Sequence, residues 1–436
     1  MLDMFKKNLR KRVMITLASG FMIANTIVFT VAAAPMELTL DDSVALALKN
    51  NPSIKMAEAD LTKAGWSLNQ AKAGKGPTLS FSHTDSRIRE ISSTTGIAYV
   101  DFYYKNQATL ALPLYTGGRV EGNIDKAKLG VEYYGLGVEQ AKQQIKLDAT
   151  TSYYNLLQTR NLVKLNQESV DQLDAHLKNV QAQYGAGTVA KSDVLRSEVE
   201  KANAEQNLIK AQNNYDLAMA SSNNVMGLPL DTQLAVKDEL KYEKFGKSLE
   251  DCVQIALANR PEATQADTNV AMARKDIDIA ASGNKPQVSL NANSGWYNDE
   301  FPGADNNTWS VAVVTSLNVF DSNLTKSQVK GADAALVRAT EQARQAKDGI
   351  QLEVREAYLN MLEAEKRIDT SSVAVTKAEE DFKIAQVRYS AGVGTNLDVI
   401  DSQVALTNAK TNYVQALYDY NSNRAKLEKA IGTAVK

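Results

Sequence analysis

The chain carries one stretch twice. Tyr184-Gly185-Ala186-Gly187, Ser192-Asp193-Val194-Leu195 and Gly227 are answered by Tyr389-Ser390-Ala391-Gly392, Leu397-Asp398-Val399-Ile400 and Gly432, each 205 residues later. An offset that holds across a whole stretch marks two copies of one structural unit. Earlier landmarks repeat as well: Leu40 and Leu249, Pro52 and Pro261, and Pro77 and Pro286 are each 209 apart. The halves thus differ by four residues, lost from one hairpin loop. This predicts a first repeat over 34–227, a linker over 228–247 and a second repeat over 248–436. Each copy centres on a tight turn between two long helices. Glycines supply its unusual backbone angles, and Ser/Thr-Asp residues start the returning helix.

The helices on either side of that turn limit the shape. No proline occurs between Val120 and Tyr184. Val120, Ile124, Ala127, Val131, Tyr134, Val138, Ala141 and Ile145 form one apolar seam, and Val170, Leu173, Leu177, Val180 and Tyr184 another. The second half copies the later seam as Val375, Ala378, Phe382, Ala385 and Tyr389. Such spacing marks helices packed as a coiled coil, with a stutter at Ile145-Ala149-Tyr153. A helix of ~65 residues is ~95 Å long. Two of them cannot sit inside a compact domain of this size, so the chain must build a rod or a tube.

After Pro77 and Pro286 the period changes from helical to alternating. Leu79, Phe81 and His83 oppose Thr78, Ser80 and Ser82; Ala108, Leu110, Leu112 and Leu114 oppose Gln107, Thr109 and Ala111. Val288, Leu290, Ala292 and Trp296 oppose Gln287, Ser289, Asn291 and Asn293, and Trp309, Val311 and Val313 oppose Ser310 and Ala312. These are two hairpins, over 77–115 and 286–320, with strands of about ten residues, a length that suits a membrane span. Their loops, 87–101 and 298–307, would lie at the far end from the helices. A soluble sandwich uses the same alternation, but the helices that follow do not suit one. Four strands cannot close a membrane barrel, since the smallest have about eight, and open edges in lipid are costly. The strands must therefore be pooled between chains, and a bore continuing into paired long helices favours three copies. The fold class is mostly α with membrane β, internally duplicated. Long helical hairpins over 119–227 and 323–432 would wall an α-helical barrel; two chains would pool eight strands, and the favoured three would make a trimeric twelve-stranded β-barrel.

Composition narrows the function. One cysteine and two histidines leave little material for a metal centre or a histidine-based triad, so no cofactor or metal is expected. Lys6, Lys7, Arg10, Lys11 and Arg12 precede an apolar run at 13–31 and small residues at 31–33, which reads as an export signal over 1–33. A retained anchor is the competing reading. Without those residues the net charge moves from −2 to −6, which argues against nucleic acid.

The repeat, together with Leu112-Pro113-Leu114-Tyr115-Thr116-Gly117-Gly118-Arg119 and the run from Tyr389 to Asp401, resembles the TolC-like family of outer-membrane efflux proteins. The resemblance implies a homotrimer in outer-membrane lipid whose helical barrel crosses the periplasm. It also implies an exit duct for a tripartite efflux or type I secretion system, without enzymatic activity. A periplasmic adaptor and an inner-membrane pump would dock at tips near Gly185, Gly187, Ala391 and Gly392. By the same resemblance, Asp398 and Asp401 match an acidic ring at the periplasmic entrance, and Asp193 and Tyr389 match a closed-state latch. Where some members place a latch arginine, this chain has Gly394. The rival reading is a secreted or periplasmic coiled-coil scaffold with no channel.

Overall fold

The computed structural model describes residues 36–91 and 94–433; the expected export signal at 1–33 lies outside them. The chain opens with β1 (Met36–Leu38), α1 (Leu40–Asn50) and α2 (Pro52–Ala73). Thr39 and Asp42 form a reciprocal capping box at the start of α1. Asn51 ends α1 and its side chain accepts the Ser53 N–H at the start of α2, with Pro52 at the first helical position. Proline suits that position because its missing N–H would be unpaired there anyway. The second half repeats the corner: a Ser248–Asp251 capping box starts α5 (Leu249–Asn259), and Pro261 starts α6 (Pro261–Ala281).

Between these corners lie β2 (Thr78–Ile91), β3 (Ala98–Tyr115), α3 (Arg119–Gly185) and α4 (Lys191–Met226). After α6 come β5 (Gln287–Asn298), β6 (Asn306–Ser316), α7 (Leu324–Ser390) and α8 (Asn396–Ala430). Both α3 and α7 have 67 residues, about 100 Å of helix. The first strand pair is longer than the ten residues anticipated, at 14 and 18, and the expected loop over 87–101 shrinks to 92–97. Arg87, Ile88 and Arg89 remain laddered to Phe102, Asp101 and Val100, because pairing continues beyond the point where the apolar–polar alternation stops.

The four strands form one antiparallel sheet in the order β2-β3-β5-β6. Leu112 is opposite Leu290 and Leu110 opposite Ala292, so the halves join through the middle of the sheet. Pro113 sits inside β3 at a register shift, where a bulge accommodates its missing donor. One face carries Leu79, Phe81, Trp309, Val311 and Val313, each more than 60% exposed. The other carries Ser80, Thr109, Asn291, Asn293 and Ser310. Among the described residues no helix is long and apolar enough to cross a membrane.

The main core lies at the waist, where α1 and α5 pack on α3 and α7. Tyr153, Leu156, Val354, Met361, Tyr420 and Leu427 are fully or nearly fully buried there. The linker, expected in the equatorial region, straps the waist. Its β4 (Leu234–Val236) pairs in parallel with β1. Arg160 donates to the carbonyls of Val236 and Asp238 at 2.8 and 2.9 Å, and the Tyr153 hydroxyl donates to the Asp238 carboxylate at 2.7 Å.

Candidate functional site: the tips of the two helical hairpins

Each long hairpin turns through five residues, 186–190 and 391–395. Gly187 (φ 77°) and Gly392 (φ 73°) take the left-handed conformation that a side chain disfavours. The N–H groups of Thr188 and Val393 then reach back to the carbonyls of Gln183 and Arg388, both at 3.0 Å. This pairing satisfies carbonyls left open at a helix end. Gly185, Gly187, Ala391 and Gly392, the residues assigned to the tips, lie at or beside these turns, and all four are exposed.

Asp398 occupies the third position of α8. Its carboxylate accepts the Thr395 N–H at 2.9 Å, and its own N–H donates to the Thr395 hydroxyl at 3.1 Å. These bonds, the backbone one foremost, hold its carboxyl below the ordinary range. Asp398 is therefore a cap as well as an acidic candidate. Asp401, one turn on, is exposed and makes no hydrogen bond or ion pair with a described residue. Capping accounts for the first aspartate and leaves the second unexplained.

The latch candidates are brought together without a bond. Tyr389 is 5% exposed and packs among Val180, Phe382, Ala385, Val399 and Leu406. Burial raises its phenol pKa, and the Asp193 charge raises it further. Its buried hydroxyl has no hydrogen-bond partner among the described residues. Asp193 instead offers its backbone carbonyl to Asn396 Nδ2, at 3.0 Å. Tyr184, the repeat partner of Tyr389, is not a core residue; it is 46% exposed. Tyr134 also lies outside its expected seam, at 44%. At Gly394 a Cβ would meet the Arg388 Cβ and the Tyr389 nitrogen at 3.1 Å, so the turn is tight there. The Arg388 guanidinium reaches the Val393 carbonyl at 3.4 Å, and its charge helps to lower the Asp398 pKa.

Sequence reasoning passed over His176, Ser197 and Asn396. They are 8%, 1% and 4% exposed and meet between the two hairpins. Histidine is scarce in this chain, and a lone histidine beside the Leu173–Leu177 seam was the available signal. A groove of about 690 Å³ beside them is lined by Gln172, His176, Asn179, Gln386 and Tyr389.

Long helical hairpins below a sheet with an apolar outer face define an outer-membrane channel protein that extends into the periplasm. The family model for outer membrane efflux protein matches residues 44–227 and 252–433, and the chain belongs to that family. Outer membrane protein TolC of Escherichia coli is 23% identical over 405 residues, 88% of this chain and 80% of that one. The cobalt-zinc-cadmium resistance protein CzcC of Cupriavidus metallidurans is 22% identical over 409 residues, 92% and 91% of the two chains. The Campylobacter jejuni CmeC outer membrane channel superposes with a TM-score of 0.80 at 17% identity, covering 90% of this chain and 85% of the other. The open-state Neisseria gonorrhoeae MtrE outer membrane channel gives 0.77 at 19% identity, covering 90% and 88%. The fold class is thus the one read from the sequence: duplicated, mostly helical, with membrane β, the class of the outer-membrane channels it superposes on. The protein is an outer-membrane efflux channel, and the scaffold reading is not favoured.

Proposed function

We propose that three copies close head-to-tail into a continuous duct through which an inner-membrane pump, coupled by a periplasmic adaptor at the hairpin tips, expels its substrates. The observation that carries this reading is the common polarity of the unpaired edges. In the sheet the open edges are β2 and β6. In the upper helical layer α2 packs on α3, α3 on α6 and α6 on α7, which leaves α2 and α7 at the ends. In the lower layer α4 packs on α3, α3 on α8 and α8 on α7, which leaves α4 and α7. First-half elements form one edge at every level and second-half elements the other.

Both edges are apolar. Met56, Trp66, Leu195, Val199, Ile209 and Leu217 are each at least half exposed on one. Val337, Leu352, Leu359, Val373, Ile384 and Val387 are on the other. A heterologous contact of this kind closes by rotation into a ring. Closure pairs β2 with a neighbour's β6 and removes strand edges that lipid cannot satisfy. In the ring, Asp398 and Asp401 would be repeated around one axis as an acidic constriction at the entrance.

The test is assembly and topology together. Membrane extracts should need detergent and crosslink as a trimer. Cysteines at Thr94 and Asp305 should react with an impermeant reagent on intact cells, and photocrosslinkers at Gly185 and Ala391 should capture a periplasmic adaptor. A monomer extractable without detergent overturns the proposal.

A further inference from the structure

His176 is a buried titratable group that the transport reading leaves unused. It lies on α3, yet its Nε2 is 2.7 Å from Oδ1 of Asn396, the first residue of α8. Asn396 Nδ2 donates to the Asp193 carbonyl on α4 at 3.0 Å. The Ser197 hydroxyl is 3.2 Å from Asn396 Oδ1 and 2.9 Å from that same carbonyl. One amide therefore joins the second hairpin to both helices of the first. Because its NH2 group is committed to a carbonyl, its oxygen is the acceptor, and the neutral imidazole carries its hydrogen on Nε2. The Tyr389 ring lies 5.1 Å from the imidazole, between centroids.

We infer that the His176–Asn396 bridge positions the second hairpin against the first at the entrance, and that protonation of His176 releases it. The inference rests on the entrance reading proposed above. Widening a ring of tips requires hairpins to part, and this bridge crosses the seam between the two in one chain. A buried polar network with its donors and acceptors matched fixes one arrangement. Protonation does not remove the hydrogen bond to Asn396, but it puts a charge on an imidazole only 8% exposed, at the wall of the groove.

Burial accordingly lowers the His176 pKa below 6.5, opposed only by that hydrogen bond. The titratable groups on the surrounding elements are Asp174 and Lys178 on α3, paired at 2.8 Å, Asp193 and Lys201 on α4, Tyr389 and Arg388 on α7, and Asp398 on α8. None of their charges contributes to the shift. The closed arrangement binds fewer protons than an open one with a solvated histidine. Its stability is therefore greatest above pH 6.5 and is lost as pH falls through the lowered pKa.

The test is conductance of the full-length trimer in planar bilayers from about pH 7.5 to about pH 5, the range in which histidine titrates. Wild-type conductance should rise as pH falls. His176→Gln keeps an amide hydrogen for Asn396 without a titration, so its profile should be low and flat. Asn396→Leu, which removes the bonds to His176, Ser197 and the Asp193 carbonyl, should raise the open fraction at every pH, by about two- to tenfold for each hydrogen bond lost. Repeating the profile with Asp398→Asn and Asp401→Asn separates the imidazole from the carboxylates; the pH response should persist. A flat wild-type profile, an unchanged rise in His176→Gln, or an Asn396→Leu variant that conducts like wild type overturns the bridge. A preparation with no conducting trimer overturns the assembly itself, which is a different failure.

Discussion

The two hairpin tips have the same backbone and different chemistry. Both turn through a left-handed glycine, and both long helices before them have 67 residues. Yet the first tip reads Tyr184, Ala190, Asp193 and Arg196 where the second reads Tyr389, Thr395, Asp398 and Asp401. Ala190 gives α4 no side-chain cap, whereas Thr395 and Asp398 give α8 a complete capping box. Tyr184 faces outward and Tyr389 is buried. Backbone-determining residues are retained in both copies. Residues that set charge and burial have diverged, so the second tip alone carries an acidic pair and a buried phenol. That division is what a duplicated chain needs if only one of its hairpins is to line a constriction.

The largest effect should come from neutralising that pair. With Asp398→Asn and Asp401→Asn together, channels in planar bilayers should lose cation selectivity and block by multivalent cations from the periplasmic side. Asn keeps the size and some capping ability. The matched first-tip change, Asp193→Asn, should leave both properties intact. If selectivity survives the double substitution, the constriction lies elsewhere and the two tips are functionally alike.

Next in size is the contrast between the tyrosines. Tyr389→Ala empties a packed site and should destabilise the hairpin by about 3 kcal/mol, read as a lowered Tm in detergent. Tyr184→Ala removes a half-exposed ring and should stay within about 1 kcal/mol. Equal costs would show that assembly buries Tyr184 as deeply as its partner. Smaller still is the cap. Thr395→Ala should cost about 1 kcal/mol, and Ala190→Thr should recover a similar amount at the other tip. The Asp398 half of the box has its pKa lowered from 3.8, so its contribution should be complete above that value and fade as pH falls through the lowered one.

Sequence periodicity made the fold class legible because it acts over long distances. A constant offset of 205 and seams without proline leave few alternatives to a duplicated tube. Local limits were harder to read. Alternation lost its apolar half at Arg87 and Arg89, and nothing there announced that the ladder continues to Ile91. The waist strands, three residues each, are too short to show a period. At the tips the capping box could be read from Thr395-x-x-Asp398, since it is a local pattern. The His176–Asn396 contact spans 220 residues and depends on how two hairpins meet. Heptad position could not separate Tyr184 from Tyr389 either, because both occupy the same place in the repeat. Their burial is decided by the neighbouring helix: α8 supplies Val399 and Leu406 beside Tyr389.

The smallest expected effect is the most discriminating for the comparison. Tyr389→Phe keeps the buried ring and removes only a hydroxyl that has no partner among the described residues. An unpaired buried hydroxyl is a net cost, so its removal should leave stability unchanged or raise it by up to about 1 kcal/mol, read as an equal or higher Tm. That outcome, with conductance equal to wild type, would make Tyr389 a packing residue and reduce the tip asymmetry to charge. A different outcome follows if a neighbouring chain supplies an acceptor when the ring of hairpins closes. The Phe variant would then lose one bond per chain at the entrance and conduct more than wild type while its trimer stayed as stable. Tyr184→Phe, exposed in the first tip, should change neither quantity. Conductance that rises for Tyr389→Phe alone would place the latch at the second tip.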